Sequence, residues 1–85
     1  MSLNYLSDNE LFDIIGKNVS YYRRLHSLEK EKMTQERLAE IIGVSTSLIG
    51  GLESKKTNQG ISVPTLYRIS VALEVPIDKL ITKRK

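Results

Sequence analysis

The fold is decided by Met33–Glu53, a stretch that reads MTQERLAEIIGVSTSLIGGLE. Inside it, Gly43 can adopt the positive φ that ends one helix, and Ser45 can cap a second helix only two residues later. Ala39 is small enough to let the two helices cross closely. The sequence therefore predicts two short helices that meet at a tight turn.

Two helices joined in this way form a helix-turn-helix unit, which presents its second helix to the major groove of DNA. An ordinary helical hairpin would show the same pattern. Charge is compatible with a DNA partner: the formal charge is +3, and the first thirteen residues hold three acidic and no basic residues, which leaves +6 for the remainder. A basic balance permits a polyanion but does not select one.

A helix-start signal occurs at five places along the chain. In each, a capping residue follows an apolar residue, and a second apolar residue stands at the fourth helical position. The five instances are Leu6-Ser7 with Leu11, Met33-Thr34 with Leu38, Val44-Ser45 with Ile49, Ile61-Ser62 with Leu66, and Val75-Pro76 with Leu80. Ser7 and Glu10 also complete a capping box, whereas Pro76 offers no capping side chain.

The predicted class is all-α, because no segment alternates with period two. The expected helices cover 7–29, 34–42, 45–54, 62–74 and 77–82. Gly16 interrupts the first helix, so one helix and two helices both stay open. The segment SLEKEK at its end is expected to be a solvated extension, and His26 is placed in that extension.

Composition indicates one soluble domain. The chain has 85 residues, 40% of them hydrophobic, and no cysteine, so packing alone must stabilise it; this fits a reducing cytoplasm. Its apolar runs are shorter than the roughly 18 to 20 residues that a membrane span needs. His26 is the sole histidine and no carboxylate pair has a partner base, so we expect no enzyme, no cofactor and no metal site.

The spaced residues of MTQERLAEIIGVSTSLIGGLE, followed by SVPTLYRISVALEVPIDKLI, resemble the lambda-repressor and Cro-like helix-turn-helix family, also called XRE. The matching positions are Thr34-Gln35, Leu38-Ala39, Gly43-Val44-Ser45, Ile49 and Leu52-Glu53. The resemblance covers about Ile15 to Ile81. We divide the chain accordingly into an N-terminal extension with the start of the first helix (1–14), the DNA-binding domain (15–81) and a basic tail (82–85), of which Lys83, Arg84 and Lys85 are expected to be frayed.

The resemblance implies a five-helix domain whose second and third helices form the helix-turn-helix. It also implies a sequence-specific transcriptional regulator, a repressor that docks its third helix in double-stranded DNA as a homodimer. Ile77, Leu80 and Ile81 would supply the dimer surface, although simple closure of the core would use them equally well. The alternative function is a protein-binding module, an antitoxin or adaptor, with weak or lost base readout.

Base readout is assigned to Thr46, Ser47, Gly50 and Gly51, which a helical projection places opposite the core side of the third helix. Each interior glycine costs about 1 kcal/mol relative to alanine, so close approach of the backbone to DNA is a natural reason for the pair. A surface face that absorbs this cost without purpose is the competing explanation. Thr46 and Ser47 are short, so we expect shallow sequence preference supplemented by DNA shape.

Phosphate contacts are assigned to helix termini and to the loop after the third helix. Gln35 matches the family's phosphate-contacting glutamine and stands at a helix N-terminus, where the dipole favours an anion. The other candidates are Ser45, Ser54, Lys55, Lys56 and Asn58. A merely solubilising loop would also explain the two lysines. The loop is about two residues longer than the family norm.

An ion pair between the first and third helices is also implied by the resemblance. Arg23 is similar to the family's first-helix arginine, and Glu53 to the acid that ends its recognition helix. The segment from Arg23 to Thr34 is about five residues longer than usual, so Arg24 could take the same place. We prefer Arg23 because Ile15, Val19 and Tyr22 place it beside an apolar stripe.

Overall fold

Five α-helices and no strand make up the parts of the chain that the computed structural model describes, residues 4–54 and 60–84. The helices are α1 (Asp8–Glu29), α2 (Gln35–Ile42), α3 (Thr46–Glu53), α4 (Val63–Leu73) and α5 (Ile77–Ile81). The all-α class and the helix order expected from the sequence are confirmed. None of these helices is long and apolar enough to cross a membrane.

The helix starts follow the capping pattern. Ser7, Thr34, Ser45 and Ser62 are N-caps whose side chains each accept a hydrogen bond from the backbone N–H three residues later. The capping box of Ser7 and Glu10 is complete in both directions. Pro76 begins α5 without a side-chain cap. Each cap satisfies a backbone donor that the first helical turn would otherwise leave unpaired.

Two residues with positive φ end α2 and α4. Gly43 has φ 76° and closes α2, as expected. Glu74 has φ 58°, which the sequence did not reveal, because a residue with a Cβ rarely adopts this conformation. The Glu74 carboxylate contacts Lys30 beyond the end of α1, with Nζ and Oε1 2.8 Å apart. This ion pair joins the end of α4 to the end of α1.

The first helix is a single helix, and Gly16 lies where it crosses α3. A Cβ built on Gly16 would lie 1.9 Å from the carbonyl oxygen of Leu52, far inside van der Waals contact. Gly16 is buried and does not interrupt α1. The glycine therefore allows the backbone at the end of α3 to rest directly on α1.

The core is formed by apolar residues from all five helices and from Met33, which precedes α2. Its buried members are Ile15, Val19, Met33, Leu38, Ala39, Ile42, Ile49, Leu52, Leu66, Ile69, Leu73 and Leu80. His26 is also buried, at 7% exposure, so the expectation that it lies in a solvated extension was wrong. Its Nδ1 has no hydrogen-bond partner and lies 4.0 Å from Oε2 of Glu74. α1 therefore still contacts the core at His26, close to its C-terminal end.

The segment after α5 is attached to α1 by buried Asn18. Its Nδ2 donates to the carbonyl oxygens of Leu80 and Thr82, both at 2.9 Å. Arg84 donates from Nε to the Asn18 Oδ1 at 3.2 Å, and its guanidinium lies 3.8 Å from the centre of the Tyr21 ring. Thr82 and Arg84 therefore contact α1, so the expectation of a frayed tail is wrong at Arg84, and Lys85 lies outside the described residues.

Candidate nucleic-acid interface

The third helix presents one polar edge and buries the opposite one. Thr46 and Ser47 in its first turn are exposed, whereas Ile49 is 0% and Leu52 is 4% exposed. Gly50 and Gly51 follow Thr46 and Ser47 by four residues each, so they continue the same edge, and both are half-buried. The four residues assigned to base readout thus form one strip along α3.

Gly50 lies beside Gln35 of the neighbouring helix. A Cβ built on Gly50 would lie 3.6 Å from Oε1 of Gln35, which is an ordinary van der Waals distance. The strip is therefore bordered by the Gln35 amide and does not face solvent on all sides. An alanine at position 50 would fit the protein without displacing Gln35.

Gln35 is held by α3 as well as by its own helix. It is the first residue of α2, where the N-cap Thr34 accepts from the N–H of Arg37 at 3.0 Å. The Gln35 Nε2 donates to Oε1 of Glu53 at 3.0 Å. The candidate phosphate contact at the start of α2 is thus linked to the end of α3.

The expected ion pair between α1 and α3 is present, and Arg23 makes it, whereas Arg24 is exposed. Arg23 donates from Nε to Oε2 and from Nη2 to Oε1 of Glu53, both at 2.8 Å. Only 12% of the Arg23 side chain and 5% of the Glu53 side chain are exposed. Hydrogen bonding to Glu53 raises the pKa of Arg23 above its ordinary value, burial opposes this change, and the attraction of the opposite charge adds to it.

A second set of hydrogen bonds fixes the chain where it enters α2. Arg23 also donates from Nη1 to the carbonyl oxygen of Met33 at 3.1 Å. The Ser27 hydroxyl accepts from the N–H of Met33 at 2.8 Å and lies 3.1 Å from the carbonyl oxygen of Arg23, to which it can donate. Ser27 was not predicted from the sequence, because its role depends on a hydrogen bond with Met33, six residues later, in the connection between α1 and α2.

The remaining candidates for phosphate contact are placed as follows. Ser45 is exposed, and its Oγ accepts from the N–H of Leu48 at 3.1 Å. Ser54 is the half-buried C-cap of α3, and its N–H donates to the carbonyl oxygen of Gly50 at 3.0 Å. Lys55, Lys56 and Asn58 lie outside the described residues.

The residues expected at the dimer surface differ in accessibility. Leu80 is 0% exposed, so its side chain closes the core and cannot contact a second chain, which corrects that assignment. Ile77 is half-buried and packs against the core, whereas Ile81 is 41% exposed. Another exposed apolar row lies on α4: Val63, Tyr67 and Val71 are between 57% and 74% exposed and are spaced four residues apart.

Comparisons with known proteins match the region that holds this site. A family model described as helix-turn-helix matches residues 27–80, which include α2, α3 and α4. The curated protein named Control protein C.SmaI, from Serratia marcescens, is 33% identical to this chain over 75 residues. That alignment covers 88% of this chain and 81% of the relative.

Proposed function

Because this chain belongs to the XRE-type helix-turn-helix family and is a DNA-binding transcriptional regulator, we propose that it is a sequence-specific repressor that binds as a homodimer. The observation that carries the proposal is the strip on α3, which begins with the exposed Thr46 and Ser47 and continues to the half-buried Gly50 beside Gln35. Repression needs only that the bound protein covers a promoter. We also propose that the protein acts in the cytoplasm, and that it has no catalytic activity and uses no cofactor.

Docking of α3 in the major groove accounts for the chemistry of the strip. The hydroxyls of Thr46 and Ser47 can donate to or accept from base edges, and the glycines let the helix backbone approach the groove. Gln35 contacts a phosphate at the N-terminus of α2, where backbone N–H groups and the helix dipole favour an anion. Short readers give modest discrimination among bases, so DNA shape contributes to operator choice.

A homodimer fits this mode of binding, because one recognition helix reads only a few base pairs. Two copies related by a two-fold axis place their α3 helices in successive major grooves about 10 to 10.5 bp apart. Ile81, the exposed member of the expected dimer residues, is the position we assign to the contact between copies.

The direct experiment is selection of bound sequences from a random duplex pool, followed by affinity measurements at several salt concentrations. We expect a two-fold motif with half-sites one helical turn apart, and a slope of log K against log salt of roughly −0.9 for each phosphate contacted. Replacing Thr46 and Ser47 together by alanine should reduce the preference for the selected duplex over random duplex. The exposed Asn9→Ala, on α1, is the matched control.

A protein-binding module, an antitoxin or adaptor, is the second candidate. The exposed row of Val63, Tyr67 and Val71 favours it, because apolar side chains grouped on one helix face can mark an interaction site. Absence of binding to random duplex at low salt, together with a flat salt response, would support this candidate and contradict the first.

A further inference from the structure

We propose that Glu53 is a positioning residue for phosphate binding: it orients the Gln35 amide toward the DNA backbone, and Arg23 neutralises the Glu53 charge beside the phosphate. This inference rests on the proposed function, because it takes Gln35 as a phosphate contact. It assigns to the Arg23–Glu53 pair a part in binding that goes beyond joining α1 to α3.

The geometry of the carboxylate supports this role. Oε1 of Glu53 accepts from both Gln35 Nε2, at 3.0 Å, and Arg23 Nη2, at 2.8 Å, while Oε2 accepts from Arg23 Nε. With 5% of its side chain exposed and Arg23 bound to both oxygens, the carboxylate has a single orientation. Glu53 is thus a rigid acceptor at a fixed point beside the start of α2.

A rigid acceptor determines the direction of the Gln35 amide. The amide group is planar, so the bond from Nε2 to Glu53 also determines where Oε1 lies, which is on the side of Gly50. The nitrogen carries two hydrogens, and the bond to Glu53 uses one of them. The other can donate to a phosphate oxygen, and Gln35 loses less rotamer freedom on binding than an unrestrained glutamine would lose.

Arg23 makes a carboxylate tolerable in this position. An uncompensated negative charge one hydrogen bond away from a phosphate site would repel the DNA backbone. The bidentate contact pairs the Glu53 charge with a guanidinium at 2.8 Å. The neutral pair therefore provides an acceptor for Gln35 without adding net negative charge to the interface.

The test is a double-mutant cycle on duplex affinity with Glu53→Gln, Gln35→Ala and the double variant. Charge removal alone should strengthen DNA binding, but we expect E53Q to weaken it about fivefold, because an amide keeps one acceptor oxygen for the three donors that the two carboxylate oxygens serve, and its NH₂ group cannot accept from Gln35 or Arg23. In the Q35A background, E53Q should change affinity by less than about twofold, because the two residues act through one contact. Glu36→Gln is the matched control: it removes an exposed carboxylate of α2 and should not weaken binding.

The outcomes separate the two proposals. If the wild-type protein binds no duplex, the proposed function fails. If the wild type binds and E53Q behaves like E36Q, or if E53Q weakens binding equally with and without Gln35, Glu53 does not position Gln35. Far-ultraviolet circular dichroism must show that each variant is folded at the temperature of measurement.

A second measurement needs no variant, in case E53Q fails to fold. In the ¹⁵N-labelled wild type, the two side-chain amide protons of Gln35 should differ, with one shifted by its bond to Glu53. Addition of the selected duplex should move the other proton and leave the first in place. Two protons at the values of an unrestrained glutamine, in free or bound protein, would overturn the inference.

Discussion

The surroundings of the glycines at positions 16 and 50 differ. At Gly16 a Cβ would meet the Leu52 carbonyl oxygen at 1.9 Å, so the chain itself requires the absence of a side chain. At Gly50 the nearest atom to a Cβ is Gln35 Oε1 at 3.6 Å, so the fold alone does not require glycine. The proposed docking of α3 offers a reason for glycine at this position, namely close approach of the helix backbone to DNA.

Gly50→Ala should therefore stabilise the domain while weakening DNA binding. Alanine gains about 0.5 to 1 kcal/mol in the interior of a helix, because the unfolded chain has fewer conformations. The added methyl group would stand between the α3 backbone and the groove. Urea unfolding and duplex affinity measure the two effects, and unchanged affinity in the more stable variant would contradict close approach.

Gly16→Ala should have the opposite effect on stability. The methyl group can be accommodated only if α1 and the end of α3 move apart, and we expect a loss of about 2 kcal/mol or more in the free energy of unfolding. Urea unfolding of G16A and G50A side by side makes the comparison. A G16A variant as stable as the wild type would show that this helix crossing is looser than the structure has it.

At the scale of helices, α1 is the element to which the later parts of the chain attach. Asn18 holds α5 and the segment beyond it through two carbonyl oxygens. Asn18→Ala should cost about 1 to 3 kcal/mol, because it leaves these acceptors without their donor. Asn9→Ala, at an exposed position of the same helix, should stay within about 0.5 kcal/mol of the wild type. Equal unfolding midpoints for the two variants would argue against the attachment.

The ion pair between α1 and α4 should make stability depend on pH. Hydrogen bonding to Lys30 lowers the pKa of Glu74 below its ordinary value of 4.5, the charge of Lys30 adds to this, burial opposes it, and His26 contributes least. The folded state therefore favours the ionised carboxylate. Its contribution is fully present above about pH 4.5 and is lost as pH falls through the lowered pKa.

The measurement is urea unfolding of wild type and Glu74→Gln at pH 7 and pH 3. The wild type should be the more stable at pH 7, and the difference should shrink on going to pH 3, because the stabilisation by the ionised carboxylate is lost as pH falls through the lowered pKa of Glu74. A difference of the same size at the two pH values would mean that the carboxylate charge does not stabilise the folded state.

The sequence determines the helix starts more clearly than it determines how the helices are joined. Caps such as Thr34 and Ser45 could be predicted because each donor lies three residues from its acceptor. The bonds of Asn18 reach across 62 and 64 residues, and no local pattern carries that information. The burial of His26 also depends on distant parts of the chain, so its polar sequence neighbours gave the wrong environment.

The candidate site shows the same division. The strip on α3 follows from helical periodicity, and the Arg23–Glu53 pair was expected only through the family resemblance. The bond from Gln35 to Glu53 was not expected, because it depends on the angle at which α2 and α3 cross. The sequence shows that Leu80 is an apolar residue of α5, but it does not show which side of this helix faces the core.

For the whole molecule, the homodimer can be tested at Ile81. Ile81→Asp places a charge on the exposed part of α5, and we expect it to yield a folded monomer with weaker affinity for the two-half-site duplex. Val71→Asp, on the exposed row of α4, is the control that should leave the dimer intact. Sedimentation equilibrium measures the mass of each. If V71D were a monomer and I81D a dimer, the contact between copies would lie on α4 and not at Ile81.

The central claim is that the α3 strip enters the major groove with Gln35 on the adjoining phosphate. The most direct measurement is a titration of ¹⁵N-labelled protein with the selected duplex, following every backbone amide. The largest shift changes should fall on Thr46, Ser47, Gly50 and Gln35, with little change on the outer face of α4. Large changes along α4, with α3 unaffected, would contradict the account.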